Sequence, residues 1–96
     1  MRPSESFERN RAAIRALVAK YPAANPRLFG SVLHGRDTEV SDVDILVDSL
    51  PGATLFELGG LQMDLQDLLG CRVDLVLPEE ISTKYRQSVL AEAVPV

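Results

Sequence analysis

From Ser41 to Asp48 the chain reads Ser-Asp-Val-Asp-Ile-Leu-Val-Asp, and this alternation limits the possible folds more than any other stretch. Side chains two apart on a strand share a face. Val43, Ile45 and Val47 therefore point one way, and Asp42, Asp44 and Asp48 point the other. A later run, residues 71–77 (Cys-Arg-Val-Asp-Leu-Val-Leu), repeats the division: Val73, Leu75 and Leu77 form the apolar set, opposed by Arg72, Asp74 and Val76. If the two strands are neighbours, about 4.8 Å apart, Asp74 lies beside Asp42 and Asp44 on one face.

The remaining elements follow from period and punctuation. Phe7, Ile14, Leu17 and Val18 fall on one face of a helix expected over Ser4 to Lys20, which the stretch Tyr-Pro-Ala-Ala-Asn-Pro ends. Arg27 to Gly30 is expected as a short strand. Thr54 opens a second helix with Glu57 in capping-box position, Leu55, Leu58, Leu61, Leu65, Leu68 and Leu69 form its buried stripe, and Gly70 closes it. Gly59 and Gly60 inside that helix cost about 1 kcal/mol each relative to Ala, so a close approach of helix to sheet is expected there. A last helix is expected from about Ser82 to Ala93. The order is helix, strand, strand, helix, strand, helix, in one domain spanning residues 1–96.

Charge and composition narrow the function. A formal net charge of −4 argues against direct binding of DNA or RNA through a broad basic face; the basic residues are scattered apart from Arg9, Arg11 and Arg15. No apolar run approaches the roughly 18 residues that span a bilayer, and the first residues lack the apolar segment of a signal peptide, so no membrane association and a cytoplasmic location are expected. Cys71 is the only cysteine, which leaves no internal disulfide or multi-cysteine zinc site; a small buried side chain is expected there.

Carboxylates gathered in a partly buried place repel one another unless a cation neutralises them. Hard oxygen donors favour Mg²⁺ or Mn²⁺, which commonly share their ligands between protein carboxylates and substrate phosphates. Gly30 and Ser31, directly after a strand, provide backbone that comes close to a phosphate together with a hydroxyl donor. Taken singly these features are ordinary: Asp-x-Asp occurs at strand edges, Gly-Ser starts many helices, and Asp74 has Arg72 as a possible ion-pair partner. In this order and spacing they point to a metal-bound nucleoside triphosphate.

The stretch Gly-Ser-Val-Leu-His-Gly-Arg-Asp-Thr-Glu-Val-Ser-Asp-Val-Asp resembles the minimal nucleotidyltransferases of the DNA polymerase β superfamily, whose signature is Gly-Ser, ten residues, Asp-x-Asp. Val-Asp-Leu-Val around Asp74 matches the family's third acidic position. The resemblance implies an α/β nucleotidyltransferase fold, a small mixed sheet flanked by helices. It implies that Asp42, Asp44 and Asp74 are catalytic metal ligands, with Asp74 as base or second-metal ligand, and that Gly30 and Ser31 hold phosphate oxygens of ATP. His34 stands where the family often has Arg, and Arg36 is the candidate to supply the missing charge. Short members of this family are commonly antitoxins paired with a helical HEPN ribonuclease toxin, and transfer AMP from ATP to a toxin tyrosine. The resemblance therefore implies a HEPN-domain toxin as partner, with a hetero-oligomer possible. Two other functions remain open on sequence: an antitoxin that masks its toxin by binding alone, and a transferase for a small molecule such as an aminoglycoside.

Overall fold

The computed structural model describes residues 1–96. The expected first helix is two: α1 (Pro3–Arg9) and α2 (Arg11–Val18). They divide at Asn10, whose amide N–H turns to the Phe7 carbonyl at 3.1 Å. The Asn10 side-chain Nδ2 donates to the Ser6 carbonyl at 2.7 Å in its place. A side chain thus takes over one helical backbone bond, the local competition that makes Asn a poor interior helix residue.

Strand β1 (Ala23–Phe29) begins earlier than the expected strand and is irregular at its middle, where the pairing register shifts between Ala24 and Arg27 and Asn25 has φ 55°. Pro26, with no N–H to give a ladder, sits in that irregularity. A single helical turn, α3 (Gly30–Leu33), follows, then β2 (Val43–Ser49), α4 (Leu55–Leu69), β3 (Val73–Val76), a 3-10 turn over Pro78–Glu80, α5 (Thr83–Glu92) and β4 (Val94–Pro95). The short β4 is an addition to the elements expected from sequence. The sheet order is β3-β2-β1-β4, with β2 and β3 parallel and β1 antiparallel to both β2 and β4. This is the expected mixed α/β sheet.

Val43, Ile45 and Val47 of β2 are buried, and with Phe7, Ile14, Leu61 and Leu65 they form one core between the sheet and helices α1, α2 and α4. Each such fully buried side chain contributes roughly 1.5–3 kcal/mol. The β2–α4–β3 and β3–α5–β4 connections both join parallel strands but step across the sheet in opposite directions. The right-handed rule for such crossovers predicts α5 on the face opposite α4. Leu46, which points to that second face, is fully buried as well.

Helix α4 starts and stops as its sequence indicates. The Thr54 hydroxyl accepts from the Glu57 amide at 3.2 Å, and Gly70 (φ 69°) returns its amide to the Gln66 carbonyl at 2.8 Å. The glycines inside it are another matter. A side chain at Gly59 would meet nothing within 4 Å, and one at Gly60 would meet the Tyr21 ring at 3.5 Å. Neither mediates a helix-to-sheet approach, because both lie away from the buried stripe. Strand β3 is a sheet edge, yet its outward amides are occupied: Val73 donates to Gln66 Oε1 at 3.1 Å, Leu75 to Gln62 Oε1 at 3.2 Å, and Leu77 to Glu80 Oε1 at 2.8 Å. No helix is long and apolar enough to cross a membrane.

Candidate active site

The site begins where β1 ends. Phe29 pairs with Asp44, and the chain then turns into α3 through Gly30 at φ 80°. A Cβ on Gly30 would lie 2.9 Å from Cγ of Asp44 and closer still to its carboxylate oxygen. Only glycine permits both this backbone conformation and this approach. On the other side of β2, Asp44 stands in register with Asp74 of β3 across the parallel pair. Alternation along both strands puts the two carboxylates on the face away from the main core.

Burial, then the charge of Asp74, then that of Asp42 push the Asp44 carboxyl up to about 6. Asp42, at the entrance to β2, is half-exposed, and Arg72 Nε lies 3.7 Å from its Oδ1. Arg72 thus faces Asp42 rather than Asp74, leaving Asp74 exposed and unpaired. Asp48 shares the acidic face but is withdrawn from the cluster. Leu46 separates it from Asp44, and it is bound by Arg27 Nη2 at 2.7 Å and Asn25 Nδ2 at 3.1 Å.

The carboxylates do not close into a set of three metal-ligating groups. Asp44 and Asp74 are the adjoining pair, and Asp42 is near enough for its charge to act on Asp44. Ser31 is half-buried in the first turn after Gly30, while Arg36 is exposed, its amide donating to the Ser31 carbonyl at 2.9 Å. His34 is exposed too, and Nε2 of its ring lies 3.1 Å from Glu92 Oε2 at the end of α5. The structure therefore brings Gly30, Asp42, Asp44 and Asp74 together, with Ser31 beside them, and ties His34 to a carboxylate that sequence reasoning left out.

Asp37 is the other omission. Its carboxylate is buried; Oδ2 accepts from the Ser4 amide at 2.9 Å and Oδ1 from Arg2 Nη2 at 3.2 Å. The Ser4 amide and the Arg2 charge, working against burial, hold its pKa below the ordinary carboxylate value. It thereby anchors the loop between Ser31 and Asp42 to the start of α1. Cys71 is half-buried rather than buried, and desolvation together with the Asp42 charge raises its thiol pKa.

The sequence matches the model of the Nucleotidyltransferase domain family over residues 11–96. It is 42% identical over 67 residues to the protein adenylyltransferase MntA of Thermococcus cleftensis, covering 70% of this chain and 68% of that one. It is 35% identical over 89 residues to the Methanocaldococcus jannaschii protein MJ0126, provisionally named a protein adenylyltransferase, covering 93% of this chain and 91% of that one. A solved structure provisionally described as a minimal nucleotidyltransferase superposes with a TM-score of 0.87 at 39% identity, over 97% of this chain and 95% of its own. A toxin–antitoxin crystal structure with AMP-PNP superposes with a TM-score of 0.76 at 27% identity, over 90% of this chain and 71% of its own.

Proposed function

The chain belongs to the nucleotidyltransferase domain family, and from that premise we propose that it transfers AMP from ATP to a tyrosine of a HEPN ribonuclease toxin and acts as that toxin's antitoxin. The observation that carries the reading is the placing of Asp44 in register with Asp74 and hard against Gly30. The relatives named for protein adenylylation, and a structural neighbour that is a toxin–antitoxin complex with AMP-PNP, support a protein acceptor and an adenine nucleotide.

A donor set made only of carboxylate oxygens, one of them pushed up to about 6 by burial and like charge, fits a hard divalent cation. Asp42, Asp44 and Asp74 would hold Mg²⁺ or Mn²⁺, which supplies positive charge to the carboxylates and to the triphosphate alike. The chain's own groups do the rest. Gly30 lets the backbone approach the phosphates, Ser31 donates its hydroxyl, and Arg36 on the following loop offers a further donor to phosphate oxygens, as does His34 through Nδ1, its Nε2 being held at Glu92. Asp74 takes the proton of the incoming phenol. The phenolic oxygen forms its bond to the α-phosphorus as the bond to the bridging oxygen breaks and pyrophosphate leaves. The added phosphodiester places negative charge where a ribonuclease must accept RNA phosphates. ATP and an RNA-cleaving partner put this reaction in the cytoplasm.

The test is to mix the chain with the toxin encoded beside it, ATP and Mg²⁺, then separate the two. Intact mass spectrometry should find AMP on the toxin, and the purified toxin should no longer cleave RNA. The Asp42→Asn, Asp44→Asn double variant should transfer nothing. An unmodified toxin that regains activity after separation would replace transfer by masking, and modification of an aminoglycoside instead would replace the protein acceptor by a small molecule.

A further inference from the structure

Helix α4 buries one side and leaves another unpartnered. Phe56 is 91%, Leu55 82% and Met63 65% exposed. At 100° per residue these three and Gly59 fall on one side of the helix, so the missing side chain of Gly59 makes a notch in an apolar ridge. Beside the notch, Leu58, Leu75 and Leu77 line a groove of about 140 Å³ between α4 and the β3 edge. Large apolar side chains gathered this way on a small protein mark a contact surface.

The occupant can be specified. An extended peptide adding to β3 would need the outward amides of Val73, Leu75 and Leu77, and these already donate to Gln66, Gln62 and Glu80. A helix, which satisfies its own backbone and docks by side chains, fits instead. Glu80 is the one charged residue lining the groove, and the chain has no Lys or Arg between Arg36 and Arg72. A cationic partner is therefore favoured. The groove also adjoins the active site: Leu75 in its wall follows Asp74, which faces the other side of the same edge strand.

We propose that this groove docks a cationic amphipathic helix of the acceptor protein and so holds the acceptor's hydroxyl within reach of Asp74 around the β3 edge. The proposal rests on the reading of a protein acceptor given above, and the two can fail separately.

A Cβ at Gly59 would meet nothing within 4 Å, and Gly59→Leu puts a side chain into the notch while replacing a poor helix former with a good one, so the fold should melt at the same temperature or higher. Binding to the toxin encoded beside this chain, measured by calorimetry without ATP, should weaken at least ~10-fold, as should that of Phe56→Ser, Met63→Ser. Transfer should fall through KM for the toxin, with ATP binding unchanged. High salt should weaken binding by the parent chain. Unaltered toxin binding by Gly59→Leu, no binding by the parent chain, or a parent dimer that the variant converts to monomer would each overturn the docking. Normal docking by the parent with no transfer would sink the enzymatic reading and leave the groove assigned.

Discussion

At Asp44, burial and two neighbouring carboxylates act in the same direction, and near neutral pH the group is ionised against its surroundings. A carboxyl whose folded pKa lies above its ordinary value destabilises the fold at pH above that folded value, and the penalty vanishes below the ordinary carboxylate pKa. Asp44→Asn should therefore raise stability at pH 7, on the order of 1 kcal/mol after allowance for solvent screening, while abolishing nucleotidyl transfer. Each kcal/mol corresponds to roughly 4–8 °C in Tm for a chain of this size. Melting the two proteins at pH 7 and at pH 4 checks it, because the advantage of the variant should close on acidification. Gly30 makes the crowding possible, since any side chain there would occupy the space of the Asp44 carboxylate. Gly30, Asp42, Asp44 and Asp74 were legible in sequence because the strand period and a glycine at a strand end are local signals. Asp37 and Glu92 were not, because their partners lie 33 and 58 residues away and only the folded chain supplies them.

Helix α1 has its first turn satisfied by a distant loop. Asp37 receives the Ser4 amide where a local cap would ordinarily act, and its charge sits at the helix end that favours anions. Its depressed pKa means that the stabilisation is present above the ordinary carboxylate value and is lost as pH falls through the folded one. Asp37→Asn should cost about 1–3 kcal/mol at pH 7, and the gap from the parent should narrow towards pH 3, read from urea midpoints at each pH. The loop so released runs directly into Asp42, so transfer should weaken along with stability. Element types were readable because the apolar periods of α2, β2 and α4 are long enough to count. The division at Asn10 was hidden, because it depends on a side chain outcompeting a backbone group for the Ser6 carbonyl. Strand β4, of two residues, is too short to show any period. The glycines of α4 carry the same sequence signal whether they admit a neighbour or leave a notch.

For the molecule as a whole, the proposed reaction asks an acidic chain with a net charge of −4 to hold a triphosphate beside three carboxylates. ATP should bind only with Mg²⁺ or Mn²⁺ present, and calorimetry in EDTA should register no heat of binding. Equal binding in both conditions would remove the ion from the reading. The overall architecture was accessible in advance because the motif order matched a family whose fold is fixed. The place of β4 at the sheet edge was not, since that strand is two residues long. The strain around Asp44 also bears on how this lineage is filtered by mutation. A change of Asp to Asn needs a single base substitution, and here it would relieve a standing penalty. A descendant relieved of chemistry and kept only for docking would meet no resistance to that change and would drift into it, gaining stability on the way. On the proposed function, keeping Asp44 is therefore a trade of stability for turnover.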